Sequence, residues 1–468
     1  MADIAPFRGI LYTPKAGDPS KLLAPPYDVI SPADRAQLAA LDPHNCVQLI
    51  LPEPTDAAKP DSRYEHAAAD LKAWLADGTL ARDEVPAIYR YHQIFDVYGK
   101  EVVRKGFIAR VRLQKFSEGV VLPHERTLAG PKIDRLNLFR STHSHFSQIF
   151  GLYNDREHIT DRFFSEVDET PPAIEGRTAD GVLHRLWRLT NVDDQRYLIR
   201  YMSGEKVYIA DGHHRYETMI NYAEELRPNA VSPKASSEYG VMFFCNMDDP
   251  GLVVKPTHRV LHSWPGFSGA DVLKRAPEFF KVMLGPRGNA DTVRMALAGH
   301  ARKQPCFAMA TPDGESIAYL QLRGDLIKSS VPALAASTVL GELDVTLLHG
   351  VLLETILGVS REDQEKQTYL RYIKDWEQAY AALGEPGVQA VFFMNPTKVE
   401  QVKAVADAGQ VMPQKSTFFF PKIASGLVIN PVDPREEVEL PPNDDAPLTP
   451  PTRLPNKDQP PTNPRLKT

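Results

Sequence analysis

The chain has 468 residues, 43% of them hydrophobic and 24% charged, with a formal net charge of -6 and a pI near 6.2. Those proportions are those of ordinary globular domains and indicate neither wholesale disorder nor a coiled coil. The length exceeds one core, and the acidic balance leaves no surplus of cations for neutralising many phosphates, so a general nucleic-acid binder is not expected.

In chain order, Ala24-Pro-Pro-Tyr-Asp28 is a rigid extended segment ending in a phenol and a carboxylate, Tyr27 and Asp28, and Ser31-Pro32 reads as the start of a helix. Tyr98-Gly99 between the apolar runs 87–95 and 101–113 is a hairpin signature. A polar cluster follows: His124 and Glu125 in Pro123-His-Glu-Arg126, then Lys132, Asp134, Arg135 and Arg140. His124 or Glu125 could shuttle a proton, and Lys132, Arg135 or Arg140 could bind phosphate. His143 and His145 alternate, but spacing places no third ligand, so no metal set is assigned. The runs 197–201 and 206–210 around Ser203-Gly204 read as a second hairpin.

The strongest local signal is Tyr208-Ile-Ala-Asp-Gly-His-His-Arg215, in which Asp211, Gly212, His213, His214 and Arg215 sit where an apolar strand gives way to a helical pattern at Tyr216, Met219, Ile220, Ala223 and Leu226. Such a turn suits an anion. The helix amino end attracts phosphate, Gly212 allows close approach, Arg215 can grip two oxygens, Asp211 can act as a base, hold a metal ion or merely cap the helix, and His213 or His214 can protonate a leaving oxygen. A boundary near residue 250 precedes a second half with helical stretches at 270–280 and 345–357, a hairpin around Pro312-Asp-Gly314 and a strand–helix unit over 389–408. In Met412-Pro-Gln-Lys-Ser-Thr-Phe-Phe-Phe-Pro-Lys422 the aromatic run reads as core, whereas Lys415, Ser416 and Thr417 could reach a ligand. From Pro431 on, proline and polar residues predict a flexible tail.

The segments 24–31, 208–215, 256–259 and 412–417 together resemble the bacterial and archaeal family known as domain of unknown function 1015. The Asp-Gly-His-His-Arg turn further resembles the phosphate-binding turn of the ParB/sulfiredoxin superfamily, which includes ParB nucleotide-binding domains, sulfiredoxin and an archaeal kinase acting on free serine. The resemblance implies phosphoryl transfer at Asp211 and phosphate binding by Gly212 to Arg215. Sulfiredoxin chemistry is not implied, because Cys46, Cys245 and Cys306 all lie outside the turn.

The expectation is thus an α+β chain. A ParB/sulfiredoxin-like phosphate-binding domain would span 1–250, a mixed α/β domain 251–430, and a Pro-rich tail 431–468. It would transfer or hydrolyse a phosphoryl group on a small metabolite, serine or O-phosphoserine first, with Mg2+ and a nucleotide such as ADP or ATP as cofactors. The competing expectation is a nucleotide-binding switch without rapid turnover. Neither a signal-peptide pattern nor an 18-residue apolar run occurs, so a cytoplasmic protein is expected, with homo-oligomers left open.

Overall fold

The computed structural model describes residues 1–125, 130–302, 304–326, 331–335, 337 and 339–442. Arg126 and residues 443–468 therefore lie outside the described residues. The fold is α+β, built on two large sheets with three two-stranded ones beside them.

The first sheet takes strands β1 (Ile4–Ala5), β2 (Ile88–Val97), β3 (Lys100–Arg112), β4 (Val121–Leu122), β5 (Ile149–Tyr153), β6 (Ile174–Arg177), β7 (Leu183–Leu189), β8 (Val207–Asp211) and β9 (Tyr239–Asn246), in the order β4-β8-β5-β9-β3-β2-β7-β6 with β1 beside β3. The β2–β3 hairpin pairs Val97 with Lys100, and Tyr98 and Gly99 both take positive φ, as a tight two-residue turn demands. Strand β9 is buried along its whole length because it runs through the middle of the sheet, parallel to β5 and antiparallel to β3.

The second sheet follows β10 (Val253–Lys255) and contains β11 (His258–His262), β12 (Phe280–Pro286), β13 (Cys306–Ala310), β14 (Ser316–Leu322), β15 (Leu370–Ile373) and β16 (Val388–Phe393). Its order is β12-β14-β13-β16-β11-β15, antiparallel throughout. Strand β17 (Phe418–Phe420) pairs with β10 and carries the chain back to the first sheet.

Of the helices, α1 (Pro32–Leu41) starts with Ser31 in a full capping box with Asp34, and α2 (Ser62–Ala76) buries Tyr64, Ala67, Leu71 and Trp74 on one stripe. Helix α3 (Gly130–Thr142) packs along α5 (His213–Leu226), which buries Tyr216, Met219 and Ala223 at helical spacing. Helix α6 (Ala290–His300) packs on β13 and β14 of the second sheet, α7 spans Val399–Asp407, and residues Leu347–Ile356 form a π-helix.

Two sequence expectations give way. Residues 192–202 form α4 (Val192–Met202) rather than a hairpin strand: Asn191 caps the amides of Asp193 and Asp194, and Gln195, Leu198 and Met202 fall on one buried face, so the period is helical and not alternating. Residues 431–442 are not free of the body. Val432 and Val438 are buried, Val432 N–H donates to the His143 carbonyl at 2.8 Å, and Glu436 pairs with Arg8 and Arg82. Apolar surface was available there after all, as valines spaced among the prolines.

Candidate functional site

Strand β8 ends at Asp211, and Gly212 at φ +93° turns the chain into α5. A side chain at 212 would be strained by that φ and would meet the Arg215 guanidinium 3.1 Å from its Cβ. Arg215 is folded back beneath the turn: Nη2 donates to Asp211 Oδ2 at 2.7 Å and Nη1 to the Gln148 carbonyl at 2.6 Å. The other Asp211 oxygen accepts from Lys422 Nζ. Burial alone would raise the Asp211 pKa, but Lys422 and Arg215 outweigh it and hold the carboxyl well below the usual carboxylate range. The cap of α5 is Gly212, so Asp211 caps nothing.

Lys422 is brought to this turn by buried contacts. Arg104, fully buried 4.7 Å over the Phe150 ring, donates to the carbonyls of Phe420 and Pro421, and Gln93 Nε2 donates to the Lys422 carbonyl at 2.9 Å. Seven residues earlier, Lys415 takes φ +57° and is exposed. Its loop is clamped on three sides. Glu125 Oε1 accepts from the amides of Ser416 at 3.0 Å and Thr417 at 3.3 Å, Thr397 Oγ1 donates to the Ser416 carbonyl at 2.7 Å, and buried Arg259 donates to the Lys415 carbonyl at 3.1 Å.

The histidines divide by environment. His124 is buried with Nδ1 donating to the Ile209 carbonyl at 2.7 Å and Nε2 accepting from Thr417 Oγ1 at 2.8 Å, so both ring nitrogens are engaged. Its own N–H donates to His213 Nε2 at 3.3 Å, and the two rings meet edge to face at 4.7 Å. Burial depresses the pKa of both, so both are neutral. His214 is partly exposed; burial lowers its pKa, Lys132 and Lys415 lower it further, and Glu217 and Asp28 oppose them. Lys132 on α3 pairs with Glu217 on α5 at 2.9 Å.

The remaining expected residues are placed as follows. Tyr27 lies 4.2 Å from the Arg135 guanidinium and within electrostatic range of Arg215, while Asp28 acts on His214. Arg135 is buried and spent on Asp134 and the Ile50 carbonyl, so it positions Tyr27 instead of facing a ligand. Arg140 is elsewhere: it makes an exposed bidentate pair with Glu225, twelve residues along α5 from His213, or about 18 Å at 1.5 Å per residue. Lys374, just past β15, stands 4.0 Å from the Phe418 ring, and Lys422 Nζ stands 5.0 Å from the same ring. Sequence reasoning passed over Lys374 and Lys422. Lys422 had a signal, since it ends the same segment as Lys415; Lys374 had none. Among the described residues no three histidine, cysteine, aspartate or glutamate side chains gather to hold a metal ion, and no helix is long and apolar enough to cross a membrane.

The chain belongs to the family described as protein of unknown function (DUF1015), whose model matches residues 4–346. No curated protein matches the sequence. Solved structures with some likeness include a conserved hypothetical protein from Pyrococcus furiosus (15% identity, TM-score 0.32, covering 69% of this chain and 95% of that one). A mutant free serine kinase in complex with ADP gives 12% identity and a TM-score of 0.33 over 69% and 92%. A C-terminally truncated SbnI from Staphylococcus aureus gives 8% and 0.32 over 69% and 86%.

Proposed function

We propose that this member of the DUF1015 family binds a phosphorylated small molecule at the amino end of α5 and transfers or hydrolyses its phosphoryl group. One observation carries the reading: Arg104 and Lys422, 318 positions apart in the chain, are linked through buried contacts so that Lys422 meets Arg215 on a single carboxylate at a glycine turn. Around it Lys132 and Lys415 act on His214, with Glu217 and Asp28 opposing them. In this reading Arg215 and Lys422 neutralise phosphoryl oxygens, Asp211 fixes both cations and orients the attacking hydroxyl or water, and neutral His214 takes the proton. Serine or O-phosphoserine is the first substrate to try, with ADP or ATP as nucleotide. Mg2+ would enter as a counter-ion carried on the ligand's own phosphates.

One feature favours the second reading, a nucleotide-binding switch. Asp211 is doubly paired with a depressed pKa and His124 is engaged at both nitrogens, so neither is set up to accept a proton. Incubation with ADP or ATP and serine, or with O-phosphoserine, followed by phosphorus NMR distinguishes the two. Transfer or phosphate release that Arg215→Ala abolishes supports the enzyme. Nucleotide-dependent thermal stabilisation without turnover supports the switch, and neither response in any condition refutes both.

A further inference from the structure

We infer that Lys374 is a ligand-binding residue of this site, its ammonium pairing with phosphoryl oxygens of the bound anion, so that the second sheet supplies one wall of the pocket. The inference rests on the anion-binding reading above. Lys374 follows β15, which is held in the second sheet by pairing with β11 from His258–Ile373 to Leu261–Leu370. Phe418 on β17 pairs with Lys255 of β10, and the ammonium groups of Lys374 and Lys422 both approach its ring, at 4.0 Å and 5.0 Å.

The charges facing Lys374 are Lys422 and Lys415, which repel it, and Asp28 and Asp211, which attract it. Asp211 is already paired to two cations, and among the described residues no carboxylate lies within ion-pair distance of Lys374. A partly buried ammonium beside two like charges is unfavourable in the empty protein. The aromatic face offsets part of that cost, since a ring within about 6 Å attracts a cation, but it supplies no net charge. A bound phosphate supplies it. The same burial, aided by Lys422 and Lys415, pushes the Lys374 pKa down to about 8, so anion binding must pull a proton onto this amine near that pH.

The test is calorimetric titration of the full chain with inorganic pyrophosphate at pH 8, in two buffers of different ionisation enthalpy. Wild type should take up about half a proton more than Lys374→Arg, because an amine at its pKa is half protonated whereas guanidinium is always charged. The Arg variant should keep most of the affinity, and Lys374→Met should lose about tenfold to hundredfold. Melting curves confirm that both variants fold. If Lys374→Met and Lys374→Arg bind with wild-type affinity and wild-type proton uptake while Arg215→Ala is weakened, Lys374 is a packing residue and the anion site stands without it. If wild type binds neither pyrophosphate nor inorganic phosphate, the anion-binding reading fails and this inference with it.

Discussion

Replacing Asp211 by Asn should destabilise the empty protein and tighten its grip on phosphate at once. The side chain is 17% exposed, and its partners Arg215 and Lys422 are 6% and 15% exposed, so the change leaves two cations largely buried around a neutral amide. Removing one partner of a buried pair costs about 3–5 kcal/mol; with one amide oxygen still able to accept, about 2–4 kcal/mol is expected. At roughly 2 cal/mol/K per residue, a chain of 468 residues unfolding as one unit would melt roughly 2–4 °C lower. The sign against pH follows from the depressed pKa. The carboxylate's contribution is present above its unfolded value, about 3.9, and is lost as pH falls through the much lower folded value, so the gap between wild type and variant should stay level from pH 7 down to about 4. Pyrophosphate should then raise the variant's melting temperature more than the wild type's, since Asp211 no longer competes for the cations. Differential scanning with and without pyrophosphate reads both effects. A variant as stable as wild type, or one that pyrophosphate stabilises less, would refute the reasoning.

Other outcomes are expected from single contacts. Lys415→Ala, at an exposed residue without an ion pair among the described residues, should weaken phosphate binding and shift the melting temperature by no more than about 1 °C. Arg140→Ala should leave ligand affinity unchanged, because its pair with Glu225 lies far along α5; loss of affinity would put that face back into the site. Truncation after residue 430 should lower the melting temperature by several degrees by removing buried Val432 and Val438 and the Glu436 pairs, whereas truncation after 442 removes only Pro-rich sequence and should not. For any turnover found, the acid limb of the pH profile should fall below the ordinary imidazole value of about 6.5, since burial lowers the His214 pKa and activity needs the neutral ring. His214→Asn should remove that limb.

How much was legible in the sequence depends on the range of the signal. Tyr98-Gly99 and Ser31-Pro32 are local, and the hairpin and capped helix they announce are present. The turn at 211–215 was legible as a strand–glycine–helix junction, and the loop at 415–417 as polar residues beside an aromatic run. What could not be read was pairing across hundreds of residues. Nothing local says that Lys422 meets Asp211, that Glu125 holds the Ser416 and Thr417 amides, or that Arg259 braces Lys415. For the same reason Arg135 and Arg140 looked like phosphate ligands: as sequence they are cations in a polar cluster, and only the fold gives them the Ile50 carbonyl and Glu225 as partners. The segment 192–202 misled because its apolar residues suit either period until Asn191 is seen to cap it.

The most direct test of the anion site is its location in a crystal. Soaking with tungstate, a phosphate mimic with strong anomalous scattering, should place a peak in contact with Lys422 and Arg215 beside Gly212, and the peak should be lost in Lys422→Met. A peak elsewhere with this turn empty, or one that survives that substitution unchanged, would contradict the account.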